Sequence, residues 1–206
     1  MRAVYDRRMP TVSTDVSAFI LAGGRSTRMG TDKAFVMLEG CTLLARMLEL
    51  ARSVCADVRI VGDRVKFAAF APVVEDVFLG CGPLGGIHAA LRSSQTHLNV
   101  MLAVDIPFVS PAFLEFLVAR GRESGAMVTL VRTRDGLHPL SAVYGRGFAD
   151  YAEKALRAGH HKIEALFEET KTQVIEEEEL RDAGFPLSIF RNLNTPEDLK
   201  SESGDR

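Results

Sequence analysis

The residues with the clearest chemical potential in this chain lie in one loop that follows an apolar run. Residues 19–35, FILAGGRSTRMGTDKAF, pass from an apolar segment through glycines to Arg25, Arg28 and Lys33. Glycine lets backbone N–H groups approach an anion, arginine offers a two-pronged donor for phosphate oxygens, and lysine adds a compact charge. This pattern favours a triphosphate-binding loop, although it matches neither G-x-x-x-x-G-K-[ST] nor G-x-G-x-x-G. The alternative is a flexible turn with solvated cations.

Two aspartates follow apolar runs elsewhere in the chain. Asp76 ends VVED and Asp105 lies within MLAVDIPF, where Pro107 fixes the turn. A carboxylate beside a phosphate site would repel the phosphates unless a cation intervenes. Mg²⁺ meets that need because it binds one or two carboxylates together with substrate phosphates. The pair therefore predicts a nucleotide site with Mg²⁺ held by Asp105, and the alternative for each is a helix cap or an Asx turn.

Three further segments carry weaker signals. The segment LGCGPLGGIHAAL has glycines, among them Gly82, that would let a flat base lie against the backbone or would allow close packing of a helix on a sheet. His138, in GLHPLSAVY, is either structural or a ligand contact. The short basic run His160, His161 and Lys162 is a candidate second anion contact.

Apolar runs alternate with helical patterns along the first two thirds of the chain. The pattern predicts strands at residues 18–21, 58–61, 73–74 and 100–104, and helices at 42–54, 83–92 and after Ser110. Continuous apolar strands in this order predict an α/β fold, with a mostly parallel sheet covered by helices on both faces. Ligands bind outside the carboxyl ends of such strands, where all three charged loops fall.

The last third is less regular. Residues 126–131 and 140–144 are predicted to be strands, with an antiparallel arrangement as one option, and 148–156 and 162–168 to be helices. The acidic run 176–179 indicates a solvated helix start, and NTPEDL carries Thr195 as a helix cap. We predict one domain over residues 18–200, preceded by a disordered leader at 1–17 and followed by a tail at 201–206.

Bulk composition narrows the functional classes. The chain has 206 residues, 47% of them hydrophobic and 25% charged, with a net charge of −2. This balance gives no global basic field for nucleic acid or an anionic membrane, and no apolar run approaches the roughly 18 residues of a membrane span. The three cysteines are an odd number without a C-x-x-C pair, which indicates a reducing cytoplasm and no disulfide framework.

Six motifs together resemble the molybdenum cofactor guanylyltransferases, the MobA family. They occur in the family's order from residue 19 to about residue 199: LAGGRSTRMGTDKAF, VVED, GPLGGIHAAL, AVDIPF, HPLSAVY and NLNTPEDL. The resemblance implies a single-domain, three-layer Rossmann-like fold of the nucleotide-diphospho-sugar transferase type. It also implies a cytoplasmic, Mg²⁺-dependent enzyme that transfers GMP from GTP to the terminal phosphate of molybdenum-bearing molybdopterin, with release of pyrophosphate.

The resemblance also assigns roles to residues. Catalytic roles fall on Arg28, Lys33 and Asp105. The nucleotide-binding residues would be Leu21, Ala22, Gly23, Gly24, Arg25, Lys33, Asp63, Asp76, Gly82 and Asp105. The acceptor-binding residues would be Arg28, His138, Lys162, Asn192 and Asn194. Molybdopterin-synthesis proteins and apo-molybdoenzymes are the expected protein partners.

Other functions remain compatible with the residues alone. The same scaffold serves cytidylyl and sugar-nucleotide transferases. A nucleotide-binding adaptor without catalysis would keep the glycine loop but would need neither Asp105 nor the acceptor residues. A molybdopterin carrier would bind the pterin without requiring a nucleotide.

Overall fold

The computed structural model describes residues 12–23 and 32–193, which form one large sheet with helices on both faces. The strands in chain order are β1 (Ser13–Leu21), β2 (Met37–Leu38), β3 (Cys41–Thr42), β4 (Cys55–Val61), β5 (Val73–Val74), β6 (Leu98–Ala103), β7 (Val128–Thr133), β8 (Gly136–Leu137), β9 (Ser141–Gly145) and β10 (Thr172–Ile175). The helices are α1 (Leu43–Val54), α2 (Arg64–Phe67), α3 (Pro83–Ser93), α4 (Pro111–Ser124), α5 (Phe148–Arg157), α6 (Glu164–Glu169) and α7 (Glu177–Asp182).

The sheet is mostly parallel, as predicted. Its strand order is β10-β7-β9-β6-β1-β4-β5, with β8 paired to β7, while β2 and β3 form a separate hairpin. In the large sheet, β9 is antiparallel to both β6 and β7, and β8 is antiparallel to β7, whereas the other pairings are parallel. The carboxyl ends of β5, β4, β1 and β6 therefore lie side by side at one edge, and that of β7 lies on the same side.

The alternation of side chains along β1 explains the three layers. Ala18 and Ile20 face a core built with α1 and α4, whereas Phe19 and Leu21 face a second core built with α3 and α5. All four are at most 9% exposed. A strand buried on both faces is a continuous apolar run, which is why the sequence shows no polar alternation there.

The predicted helix start at Ser110 is confirmed. The Ser110 hydroxyl accepts a hydrogen bond from the Phe113 N–H at 3.2 Å, and Pro111 occupies the first helical position of α4. Thr42 caps α1 in the same way through the Ala45 N–H. Such caps satisfy backbone donors that the first turn leaves unpaired, so they mark helix starts in a sequence. The predicted cap at Thr195 lies outside the described residues.

Two strand predictions need correction. β1 begins at Ser13 rather than at residue 18, so residues 13–17 belong to the sheet and not to the predicted leader. Their polar side chains hid this, but Ser13 pairs with Cys55 and Val16 is only 1% exposed. β10 was missed altogether, because it is a four-residue outermost strand whose first residues are polar and only partly buried.

Candidate functional site

Backbone hydrogen bonds fix the position of the segment that leads into the glycine loop. The Ala22 N–H donates to the Val61 carbonyl at 3.0 Å, and the Val104 N–H donates to the Leu21 carbonyl at 3.3 Å. The end of β1 is thus held between the ends of β4 and β6. Gly23 follows at the surface, so Leu21, Ala22 and Gly23 lie where the sequence predicted them, at the carboxyl edge of the sheet.

Lys33 and Asp105 meet directly at this edge. Lys33 Nζ lies 2.8 Å from Asp105 Oδ2, although the two residues are 72 positions apart in the chain. Their side chains are 22% and 23% exposed, so the pair is largely but not fully removed from water. The strand-end argument placed both residues here, and the structure adds that they form an ion pair.

Asp32 has a role that the sequence did not reveal. Its Oδ1 accepts a hydrogen bond from the Ala34 N–H at 3.1 Å and so caps the short 3₁₀ helix Lys33–Phe35, which carries Lys33. Its Oδ2 lies 3.1 Å from Lys66 Nζ, which comes from α2. Lys66 was missed because α2 spans one turn and shows no hydrophobic periodicity; the signal available was Asp63, a good helix cap.

Several predicted residues fall outside the described part of the chain. They are Gly24, Arg25, Arg28 and Asn194. Their assigned contacts stay predictions.

Asp76 lies against the start of α3, with one oxygen buried and unsatisfied. Asp76 Oδ1 has no hydrogen-bond partner among residues 12–23 and 32–193, and a Cβ added to Gly86 would lie 3.6 Å from it. Burial raises the pKa of Asp76 above its ordinary value because the charged form loses water. A charged oxygen that is removed from water without a hydrogen-bond donor costs free energy.

The glycines of the GPLGG segment serve two purposes. Gly85 and Gly86 are packing residues, because a Cβ would come within 2.8 Å of the Phe78 carbonyl oxygen at Gly85 and 3.3 Å of Leu21 Cδ2 at Gly86. This is the close helix–sheet packing that the sequence left open as an alternative. Gly82 differs: its φ of +65° is left-handed, and a Cβ there would meet nothing within 4 Å. It leaves open space directly before α3.

Asp63 and His138 are engaged within the protein. Asp63 Oδ1 accepts from the Val65 N–H at 2.8 Å, so it caps α2 at the end of β4. His138 Nε2 lies 2.9 Å from Thr133 Oγ1, and its ring stacks on Phe190 at a centroid distance of 4.1 Å. Burial lowers the pKa of His138, which favours the neutral ring. These contacts support the structural alternative for His138 and show that Asp63 caps a helix.

The predicted acceptor residue Asn192 lies near the same edge, and Lys162 follows a helix on the Asp76 side of the sheet. The Leu193 N–H donates to the Asp105 carbonyl at 2.9 Å, which brings the exposed Asn192 beside the Asp105 backbone. The exposed Lys162 follows α5, whose end reaches Phe78: the Arg157 guanidinium lies 5.9 Å from that ring's centroid. Lys162 therefore belongs to the side of the sheet that carries Asp76.

The donor set limits the kind of metal this edge can hold. Within residues 12–23 and 32–193 there is no group of three or more His, Cys, Asp or Glu side chains that could hold a metal ion. A lone carboxylate such as Asp105 suits a hard cation that takes the rest of its ligands from water and phosphates. No helix in the described part of the chain is long and apolar enough to cross a membrane.

Fold and site together define a class. A mostly parallel α/β sheet with a glycine segment after β1 and a Lys–Asp pair at the strand ends is an arrangement typical of α/β proteins that bind phosphorylated ligands. The 2-C-methyl-D-erythritol 4-phosphate cytidylyltransferase from Thermus thermophilus has this fold, with a TM-score of 0.66 over 92% of this chain and 98% of that one, at 18% identity.

The family follows from closer similarities. The model of the MobA-like NTP transferase domain matches residues 18–174, and the chain belongs to this family. The molybdenum cofactor guanylyltransferase of Desulfosudis oleivorans is 35% identical over 188 residues, covering 90% of this chain and 93% of that protein. The structure of molybdopterin-guanine dinucleotide biosynthesis protein A from Archaeoglobus fulgidus matches with a TM-score of 0.79 and 33% identity, covering 90% of this chain and 96% of that one.

Proposed function

We propose that this protein transfers GMP from GTP to the terminal phosphate of molybdenum-bearing molybdopterin and releases pyrophosphate. The relatives named above are guanylyltransferases of the molybdenum cofactor or take part in molybdopterin-guanine dinucleotide biosynthesis. The observation that carries the proposal is the Lys33–Asp105 pair at the carboxyl edge of the sheet, beside the end of β1. It places a cation and a carboxylate where a triphosphate and its metal would bind.

The reaction is a substitution at the α-phosphorus of GTP. An oxygen of the acceptor phosphate forms the new P–O bond, and the bond from the α-phosphorus to the departing pyrophosphate breaks. The attacking oxygen is already anionic, so no strong general base is required. The protein's contribution is then to position both phosphates and to offset the negative charge that develops on the leaving group.

Named residues supply these contributions. Lys33 would bind the phosphates, together with the predicted Arg25 and Arg28. The proposed cofactor Mg²⁺ would be held by Asp105 and would neutralise phosphate oxygens. Lys33 lies 2.8 Å from Asp105, so a triphosphate bound by Lys33 would lie beside the carboxylate proposed to hold Mg²⁺.

Asp76 is the proposed contact for the base. Guanine presents two adjacent N–H donors, and the unpartnered Asp76 Oδ1 is an acceptor without a donor. Binding would supply the missing partner and relieve the cost of the buried carboxylate. The open space at Gly82 would let the base approach the backbone before α3.

The terminal phosphate of the acceptor would bind beside Asp105. Asn192 is brought there by the Leu193 hydrogen bond, and Arg28, Asn194, His138 and Lys162 are the remaining proposed acceptor contacts. A cytoplasmic location, in keeping with the unpaired Cys41, Cys55 and Cys81, is part of the proposal, as is cofactor transfer to apo-molybdoenzymes.

Nucleotide selectivity tests the proposal. Thermal stabilisation is measured with Mg²⁺ plus each of the four nucleoside triphosphates, followed by pyrophosphate release in the presence of molybdopterin. We expect GTP to give the largest shift and to be the substrate that releases pyrophosphate. A shift with CTP but not GTP would identify a cytidylyltransferase instead. Binding of GTP or molybdopterin without pyrophosphate release would indicate an adaptor or a carrier.

A further inference from the structure

Asp32 joins two elements at the proposed phosphate site, and its two oxygens have different partners. Oδ1 accepts from the Ala34 N–H, and Oδ2 pairs with Lys66 Nζ, both at 3.1 Å. The Asp32 side chain is 23% exposed, whereas that of Lys66 is 52% exposed. The carboxylate therefore lies mostly inside the protein while its counter-ion remains near the surface.

The bond to Oδ1 sets the direction of Lys33. The 3₁₀ helix spans only Lys33–Phe35, and Ala34 at its centre is fully buried, so the cap fixes a short turn that is anchored at its middle. Lys33 is the first residue of this turn. A rotation of the turn would move the start of the Lys33 side chain and break the 2.8 Å contact between its Nζ and Asp105.

The ion pair at Oδ2 offsets the negative charge of Asp32 close to the proposed phosphate site. Asp32 is a negative charge next to a residue that binds phosphates, and like charges repel over such distances. Lys66 offsets it, and the packing of Phe35 on Phe67, with ring centroids 5.9 Å apart, keeps the 3₁₀ helix and α2 side by side. The 3₁₀ helix and α2 together fix the position of the turn that carries Lys33.

We propose that Asp32 is a positioning residue for Lys33 and that Lys66 is the counter-ion that makes this carboxylate compatible with a bound triphosphate. The inference rests on the proposed function and extends it to two residues outside the assigned site. The Asp32 side chain would have two separate roles. The hydrogen bond from the Ala34 N–H requires an acceptor but no charge, whereas the contact with Lys66 requires the negative charge.

The first test compares two substitutions of Asp32. Asp32→Asn keeps an acceptor for the Ala34 N–H, whereas Asp32→Ala removes it. We expect kcat for GMP transfer to fall about tenfold in Asp32→Ala, in line with the loss of a helix cap, and by less than about threefold in Asp32→Asn. Melting temperatures are recorded beside the rates. Equal losses in the two variants, or a loss of kcat that follows melting temperature alone, would overturn the positioning role.

The second test isolates the charge. In Lys66→Met the carboxylate has lost its counter-ion, so we expect the KM for GTP to rise about threefold at low ionic strength with kcat unchanged, and less at high ionic strength. Adding Asp32→Asn to Lys66→Met is expected to restore KM. Lys154→Met, an exposed lysine on α5, is the matched control and is expected to leave KM unchanged. A KM that stays raised in the double variant would overturn the counter-ion role.

The wild-type protein, measured in the same assays, distinguishes failure of the Asp32 inference from failure of the proposed GMP transfer. Lys33→Ala is the low-activity reference. If the wild type transfers GMP but the Asp32 variants behave alike, the inference fails and the function stands. If the wild type binds Mg²⁺–GTP without transferring GMP, the proposed function fails. The dissociation constant for Mg²⁺–GTP then decides the inference, with weakening expected in Asp32→Ala and not in Asp32→Asn. A wild type that binds no nucleoside triphosphate would overturn both.

Discussion

Polar clusters near the two ends of β1 differ in how completely their hydrogen bonds are satisfied. Near the amino ends of β4 and β6, the Ser17 hydroxyl donates to Asp57 Oδ2 at 2.8 Å, and Thr96 Oγ1 lies 3.0 Å from Ser17 Oγ. Asn99 is fully buried and donates to the Tyr144 carbonyl at 3.3 Å while Ser94 donates to its Oδ1. At the carboxyl ends, Asp76 Oδ1 has no partner.

The contrast separates a structural polar network from a binding site on the same strands. Buried polar groups that satisfy one another stabilise a single arrangement and have nothing left to offer a ligand. An unpaired buried oxygen beside an ion pair and open backbone lowers stability, and a ligand that supplies the missing partners recovers the loss. Substitutions near the amino end should therefore change stability, and those at the carboxyl end should change activity.

The largest effect is expected at the ion pair. Lys33→Ala and Asp105→Ala should each lower GMP transfer by about 10²–10³-fold, because each removes a charged contact to the reacting phosphates or their metal. The rates are measured in saturating Mg²⁺ and GTP. Circular dichroism should show that the fold persists. Near-normal turnover in either variant would remove that residue from the site.

The next effect is at Asp76. Asp76→Asn should weaken GTP binding by about 10–100-fold, since it replaces a charged acceptor for the donors of the base. Isothermal titration with each of GTP and CTP measures this loss. Unchanged affinity for GTP would show that the unpartnered oxygen is not the base contact.

The same variant should stabilise the protein without ligand. The pKa of Asp76 is raised on folding, so its penalty is absent below the unfolded pKa, grows as the pH rises through the folded pKa, and is complete above it. Asp76→Asn should therefore melt at a higher temperature than the wild type at pH 8, and the difference should disappear as the pH falls to about 3.5. A lower melting temperature of Asp76→Asn at pH 8 would contradict the claim that the charged Asp76 carboxylate destabilises the folded protein.

Asn99→Ala should have the opposite effects to Asp76→Asn: lower stability and unchanged activity. It leaves the Ser94 hydroxyl and the Tyr144 carbonyl without their partner, at a cost of about 1–3 kcal/mol in the free energy of unfolding. Urea unfolding measures the loss. Turnover per folded molecule at 20 °C should match the wild type, and a specific loss of turnover would show that the two ends are not independent.

The smallest effect is expected at the start of α4. Ser110→Ala removes the hydrogen bond to the Phe113 N–H and should lower the free energy of unfolding by about 1 kcal/mol. GMP transfer should be unchanged, because the substitution removes a cap but no contact of the proposed site. Ser110→Thr keeps a capping hydroxyl and serves as the control.

Local sequence patterns predicted the features of the fold whose causes are local. Apolar runs such as residues 18–21 predicted the central strands, and the cap at Ser110 predicted the start of α4, because the causes of both are local. The strand-end rule also placed Lys33, Asp76 and Asp105 at one edge. This rule requires only the direction of each strand, and parallel strands all run in the same direction.

Other features depend on neighbours that are distant in the chain. The pairing of Ser13 with Cys55 makes a strand of polar residues, and no local pattern records it. His138 stacks on Phe190, and Lys66 reaches Asp32 from a one-turn helix. These contacts join residues that are distant in the chain, so the sequence left His138 as either a structural residue or a ligand contact.

The most direct test of the account is transfer of label from GTP carrying ³²P at the α-position. Wild-type protein is incubated with Mg²⁺, labelled GTP and molybdenum-bearing molybdopterin, and the pterin product and released pyrophosphate are quantified together. We predict one labelled dinucleotide for each pyrophosphate, with transfer reduced by at least about 100-fold in Asp105→Ala and retained in Asn99→Ala. Label that stays in the nucleotide while GTP is bound, or transfer that is equal in Asp105→Ala, would contradict a guanylyltransferase site at the carboxyl edge of this sheet.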